Sequence, residues 1–196
     1  MATIAIVYHS GYGHTAKVAE HVRIGAARAE GAEVALYKAD DLTSPESGPW
    51  DELAVADAII FGAPTYMGSA SAVFKQFQDA TSKPWFTQEW KDKIAAGFTN
   101  SGSLSGDKSE TLQQFATLAA QHGMVWVGTG MVPGYNASTK DYDAVHNRLS
   151  YFLGLGVQSL TDKPAEESPD RFDLETAEQF GERVAETTLR WVRGKA

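Results

Sequence analysis

The sequence predicts an α/β fold, a parallel sheet with helices on both faces. Three observations carry this. Short β-branched and apolar runs recur along the chain. Segments with helical spacing stand between them. Neither an internal repeat of about 20–50 residues nor a low-complexity stretch interrupts the alternation. Strand, helix, strand, helix in this order builds a parallel sheet, and right-handed crossovers place helices on its two sides.

The first strand is Ile4-Ala5-Ile6-Val7-Tyr8, apolar on both faces like a strand inside a parallel sheet. Glu33–Lys38 is the second, Ala58–Phe61 the third, Ile94–Thr99 the fourth and Met124–Val127 the fifth. Helical stripes lie between them. Val18, Ala19, Val22, Ala26 and Ala29 share one face of a helix over Thr15–Ala29. Val73, Phe77 and Ala80 mark another helix. Leu112, Phe115, Ala116 and Ala119 mark the next, with Asp107 and Glu110 at capping-box spacing before it. A last helix begins at Asp173 and carries Leu174, Ala177, Gly181, Val184, Ala185, Thr188 and Val192 on one face. Residues 129–172 have no clean period; a helix over Tyr142–Leu153, packed on the sheet edge or a partner subunit, is expected within them.

Composition narrows the function. The 196 residues suit one domain, residues 1–196, with 129–172 as a long irregular insertion. There is no cysteine, which excludes a disulfide framework, a Cys-ligated metal centre and a cysteine nucleophile. The net charge of −8 disfavours nucleic acid and anionic membrane as partners. The run Ala2–Tyr8 is too short to cross a bilayer, and no basic segment precedes it as in a signal peptide. A soluble, cytoplasmic protein is the expectation, and the sequon Asn136-Ala137-Ser138 is then fortuitous.

Ligands of open α/β sheets bind beyond the carboxyl ends of the strands. Three such loops are rich in glycine and hydroxyls. They are His9-Ser10-Gly11-Tyr12-Gly13-His14-Thr15 after the first strand, Gly62-Ala63-Pro64-Thr65-Tyr66-Met67-Gly68-Ser69 after the third, and Asn100-Ser101-Gly102-Ser103-Leu104-Ser105-Gly106 after the fourth. The first runs directly into a helix N-terminus, where free N–H groups and the helix dipole favour an anion. It holds neither Lys nor Arg, so it predicts a neutral phosphate cradle bracketed by Ser10 and Thr15.

Other motifs fit less well. Gly11-x-Gly13-x-x-Ala16 satisfies the permissive dinucleotide fingerprint, with Asp40 or Asp41 as a ribose ligand, but leaves the other two loops unused. A Walker loop would need Gly-Lys-Ser/Thr, and a nucleophile elbow would need Ser where Leu104 stands. His9, His14, His21, His122 and His146 form no zinc motif, so no metal is expected. Trp85, Phe86 and Trp90 cluster before the fourth strand, as core packing or as a wall beside a planar ligand.

Four motifs in register, Ser10–Thr15, Pro64–Gly68, Asn100–Ser103 running on to Gly106, and Gln121-His122-Gly123-Met124, resemble the flavodoxin-fold NAD(P)H:quinone oxidoreductases of the WrbA type. The resemblance spans roughly residues 1–128 and the last helix. It implies a doubly wound five-stranded parallel sheet of order 2-1-3-4-5 and FMN as cofactor. Ser10, Gly11, Tyr12, Gly13, His14 and Thr15 would hold the phosphate. Pro64, Thr65, Tyr66, Met67 and Gly68 would border the isoalloxazine ring. Asn100, Ser101, Gly102, Ser103, Leu104 and Ser105 would face its polar edge and ribityl chain. Tyr12 and Trp85 would contact the substrates. The implied chemistry is ping-pong hydride transfer from NADH or NADPH through the flavin to a quinone, in a homodimer or homotetramer. Its side chains supply no nucleophile, since the flavin carries the redox step. Two alternatives stand beside it, a flavodoxin-type electron carrier and an NAD-binding Rossmann-like domain. The sequence departs from the resemblance at Gln121-His122, where the family carries two histidines, over Ala39–Leu53, where the family's insertion linked to tetramer formation is shorter here, and across residues 130–172.

Overall fold

The computed structural model describes residues 1–194. The elements run β1 (Ala2–Tyr8), α1 (His14–Ala26), β2 (Ala32–Lys38), α2 (Trp50–Val55), β3 (Ala58–Tyr66), β4 (Ser69–Ala70), α3 (Ala72–Ala80), α4 (Ser82–Phe86), β5 (Ile94–Ser101), α5 (Lys108–Gln121), β6 (Val125–Trp126), β7 (Leu155–Gln158) and α6 (Arg171–Gly194). The sheet order is β2-β1-β3-β5-β6, with β7 also on β5 and β4 folded back on β3. The path strands are parallel.

Side-chain alternation along the strands divides the core in two. Ile4, Ile6, Ala58, Ile60, Ile94 and Ala96 point to the side covered by α1 and α6. Ala5, Val7, Ile59, Phe61, Ala63 and Ala95 point to the side covered by α2, α3 and α5. This is why the strands read as apolar on both faces. Glycines bring α1 and α6 backbone to backbone: a Cβ on Gly25 would lie 1.8 Å from the Glu178 carbonyl oxygen, and one on Gly181 2.0 Å from that of Val22.

The fifth position of the sheet is split. Val125 and Trp126 pair with Ile94 and Ala95, the first half of β5. The second half, Phe98–Ser101, pairs with Leu155–Gln158. The chain leaves the sheet after Trp126 and returns at Leu155. Its exit and return are tied by Trp126 Nε1 donating to the Leu153 carbonyl at 2.7 Å and Thr129 N donating to that of Phe152 at 3.0 Å. The order 2-1-3-4-5 therefore holds with half of its last strand supplied from within the stretch expected to be irregular. A run of four residues containing a glycine is too short to register as a strand in sequence.

The helix expected over Tyr142–Leu153 does not form. Only Tyr142–Ala144 makes a single 3₁₀ turn, and Asn147 and Ser150 take left-handed φ values of 44° and 59° that end any helix. Tertiary contacts hold this segment instead. Buried Arg148 grips buried Asp173 of α6 through two bonds of 2.8 and 3.2 Å, and Asn147 N donates to Thr176 Oγ1 at 3.0 Å. The capping box is also absent. Asp107 sits at φ 57°, and its side chain caps nothing.

Candidate active site

Parallel register brings the three loops to one edge of the sheet. Tyr8 pairs with Gly62 and Pro64 with Asn100, so the chain leaves β1, β3 and β5 side by side. Gly13 caps α1 in the left-handed region at φ 90°. Ser10 Oγ accepts from the N–H groups of Gly13 and Ala16, both at 3.1 Å, which folds the first loop over the helix start. Thr15 Oγ1 donates to Asn100 Oδ1 at 2.5 Å, and Asn100 Nδ2 donates to Ser159 Oγ at 2.9 Å. Buried Asn100 thus locks the first loop, the third loop and the end of β7 together.

A cavity of about 470 Å³ opens between these loops, within the usual range for small-ligand sites. Tyr12, His14, Thr15, Pro64, Tyr66, Asn100, Ser101 and Gly102, all among the residues named from the sequence, line it. A wider depression of about 520 Å³ lies elsewhere, between Leu104–Leu112 and Arg148–Leu153, but the strand ends converge on the former. Ser10, Gly11 and Gly13 shape the first turn without entering the lining. Thr65 turns inward, hydrogen bonded to Thr99 and Thr111 at 2.8 Å each, so only its backbone stands at the strand end. Met67, fully exposed, and Gly68 have φ values of 48° and 86°, both positive as a type I′ hairpin turn requires. Neither they nor Ser103, Leu104 and Ser105 line the cavity. Trp85 lies outside it too, 47% exposed on α4. Trp90 and His122, the former entirely buried, stack in the core at 4.5 Å.

Four lining residues come from a part of the chain to which sequence reasoning assigned no role: Ser159, Thr161, Lys163 and Pro164. His14 Nε2 bonds the Lys163 carbonyl at 2.9 Å, and Lys17 Nζ donates to that of Glu166 at 2.8 Å, so this segment is anchored on the first loop. Lys163 stands in the wall, its ammonium paired with Glu167 at 3.1 Å. Nothing local in sequence announces this, because 149 residues separate His14 from Lys163.

The aromatic rim is set by Tyr12 and Tyr66, whose rings meet edge to face at 6.3 Å. A Cβ on Gly11 would lie 2.7 Å from the Tyr66 hydroxyl, so only glycine admits that ring above the loop. Burial first, then neighbouring Tyr12, pushes the Tyr66 phenol upward in pKa, so it stays protonated at neutral pH.

Behind the third loop lies Lys108, with no exposed surface. Its Nζ donates to Ser101 Oγ at 2.7 Å and to the carbonyls of Ser103, Leu104 and Ser105 at 2.5, 3.3 and 3.4 Å. Burial pulls its pKa down to about 8, with Asp173 acting in the opposite direction. Its one sequence signal is that it is the sole Lys or Arg between Lys93 and Lys140.

A doubly wound parallel sheet with a glycine- and hydroxyl-rich site at its strand ends defines the flavodoxin-like class of α/β proteins. The chain belongs to the NADPH-dependent FMN reductase family, whose model matches residues 4–138. It is 44% identical over 185 residues to Flavodoxin FldP of Pseudomonas aeruginosa, covering 94% of this chain and 96% of the relative. It is 30% identical over 207 residues to an NAD(P)H dehydrogenase (quinone) of Rhizobium rhizogenes, covering 98% and 100%. Among solved structures it is similar to a WrbA-like flavodoxin from Agrobacterium tumefaciens, with TM-score 0.72, 41% identity and coverage of 97% and 99%. A flavodoxin from the domain Archaea shares the fold, with TM-score 0.65 and 21% identity over 95% of this chain and 99% of that one.

The donor set fits FMN. A phosphate needs several short donors; the Ser10 hydroxyl, whose oxygen already accepts from Gly13 and Ala16, and the N–H groups of Gly11, Tyr12, His14 and Thr15 at the helix start can supply them. A flat ring needs a narrow slot with aromatic edges and polar groups on one side. Tyr12, Tyr66, Ser101 and Gly102 have that chemistry. No helix among the described residues is long and apolar enough to cross a membrane.

Proposed function

We propose that this chain binds FMN in the cavity between the three loops and uses it to pass a hydride equivalent from NADH or NADPH to a quinone. The convergence of the first and third loops on Asn100, with Tyr12 and Tyr66 at the rim, carries the reading. Ser10–Thr15 would hold the phosphate through hydroxyl and backbone N–H donors, beside a wall in which the Lys163 ammonium is already paired with Glu167. Pro64 and Tyr66 would flank the ring, with the backbone of Thr65–Gly68 at its edge. Asn100–Ser105 would face its polar side. FMN, when bound, supplies the redox chemistry; the protein binds, orients and shields it. Tyr12, 80% exposed, is placed to meet a second planar molecule at the mouth. Trp85, exposed on α4 and outside the cavity lining, would meet a substrate where a neighbouring copy of the chain brings it to the mouth. Cytoplasmic residence and a dimer or tetramer complete the proposal.

A second reading is a flavodoxin-type carrier that delivers electrons to a protein partner. The name of the 44% identical relative and the net charge of −8 favour it. One experiment separates the two. The purified protein is mixed with FMN, and its visible spectrum and NADH and NADPH oxidation are followed with and without benzoquinone. Quinone-dependent turnover supports the enzyme. Flavin binding without such turnover selects the carrier, and failure to bind FMN rejects both.

A further inference from the structure

We propose that Lys108 is the positioning residue that makes the third loop favour negative charge on the group bound in the cavity, and so raises the reduction potential of bound FMN. The inference rests on the FMN reading above and deepens it.

Ser101 O accepts from Ser159 N at 3.0 Å and Gly102 O from Gln158 Nε2 at 2.9 Å. Ser103, Leu104 and Ser105 offer theirs to Lys108, and Ser105 O also accepts from Tyr151 Oη at 2.9 Å. Every carbonyl from Ser101 to Ser105 therefore has an internal donor. In a trans peptide the N–H points opposite to the C=O of the same plane. Carbonyls of residues 103–105 drawn onto one ammonium turn the N–H groups of Leu104, Ser105 and Gly106 away from it. The buried cation thus aligns successive peptide dipoles, positive ends outward.

The second link is Ser101. Its Oγ accepts from Lys108 Nζ, and Ser101 lines the cavity. With its lone pair engaged by a cation, the hydroxyl is left to donate, and the ammonium strengthens that donation. Lys108 is thus one hydrogen bond behind the wall, in a dry site where a charge acts over distance with little screening. Among the described residues no carboxylate neutralises it at contact. Asp173, which acts on it electrostatically, is engaged by Arg148 and by Gln158 N at 3.1 Å. Placing a solvent-free ammonium here is costly, and an ordinary loop anchor would be served by a neutral donor. Reduced FMN carries more negative charge than oxidised FMN, so the arrangement favours the reduced form.

The test uses holoprotein. Dissociation constants of oxidised and reduced FMN are measured for wild type, Lys108→Met, Lys108→Arg and Ser101→Ala, with thermal melts of each. Lys108→Met should weaken reduced FMN relative to oxidised by at least tenfold, about 30 mV in the two-electron potential. Lys108→Arg should restore most of the ratio. Ser101→Ala, which keeps the buried cation, should lose about threefold by breaking the link to the wall. If wild type binds FMN and the Lys108→Met and Ser101→Ala ratios stay within twofold of it, the inference is overturned while the FMN reading stands. If Lys108→Met does not fold, an unchanged ratio in Ser101→Ala overturns it alone. Failure of wild type to bind FMN rejects the underlying reading.

Discussion

His122 makes the fold sensitive to acid, and its hydrogen bonds say by how much. Its ring is 1% exposed and stacks on Trp90. Thr81 Oγ1 spends its hydrogen on the Gln78 carbonyl at 2.7 Å, so toward His122 Nε2, at 2.9 Å, it can only accept. The neutral ring therefore carries its proton on Nε2. Nδ1 is buried without a partner, and a second proton there would have no acceptor. Burial accordingly pulls the pKa from 6.5 to about 4. The folded value lies below the unfolded one, so this contribution is intact above pH 6.5 and is lost as pH falls toward 4. At about 1.4 kcal/mol per pH unit the loss approaches roughly 3 kcal/mol. His122→Phe keeps the stacked ring, gives up the Thr81 bond at a cost of about 1 kcal/mol, and cannot titrate. Urea unfolding of both proteins at pH 7.5 and pH 4.5 reads the difference, with shared carboxylate effects cancelling. Wild type should be the more stable at pH 7.5 and the less stable at pH 4.5. A difference constant within about 0.5 kcal/mol would refute both the tautomer and the burial argument.

Three further outcomes are expected. Gly13→Val forces a β-branched residue to φ 90° with its Cβ 3.1 Å from that of Ala165; FMN affinity should fall at least about a hundredfold in a spectral titration, and unchanged affinity would contradict the phosphate-loop assignment. Gly181→Ala drives a methyl into the Val22 carbonyl and should cost about 1–3 kcal/mol in urea unfolding; full stability would mean that α1 and α6 do not meet there. Asn100→Leu strands the buried hydroxyls of Thr15 and Ser159, and should lose about 2–4 kcal/mol together with most FMN binding; a variant that still titrates with FMN like wild type would show that Asn100 does not organise the site.

Much of the architecture and eight of the twelve cavity-lining residues were legible in the sequence because their signals are local. Ile4–Tyr8 and Ala58–Phe61 read as buried strands since both of their faces pack on helices. The loops after β1, β3 and β5 read as a site since glycine and hydroxyls follow each strand. Local signals also misled. Asp107 and Glu110 have capping-box spacing, yet the buried ammonium next to them organises the loop and Asp107 takes a left-handed turn. A helix is expected over Tyr142–Leu153, but that segment is held by Arg148 on Asp173 and by bonds to carbonyls at the sheet edge.

By itself, then, the sequence determined the alternation of parallel strands and helices and the three glycine-rich loops, and its lack of cysteine excluded cysteine-based redox chemistry and left electron transfer to a bound cofactor. Periodicity and turn chemistry act over a few residues, so they are written where they operate. Tertiary structure decided what lies far apart in the chain. It split the fifth strand between Val125–Trp126 and Leu155–Gln158. It brought Ser159–Pro164 onto the first loop, set the Lys163–Glu167 pair in the cavity wall, and hid Lys108 behind Ser101. These depend on which carbonyls and hydroxyls remain unpaired once the sheet has assembled, a condition that exists only in the folded chain.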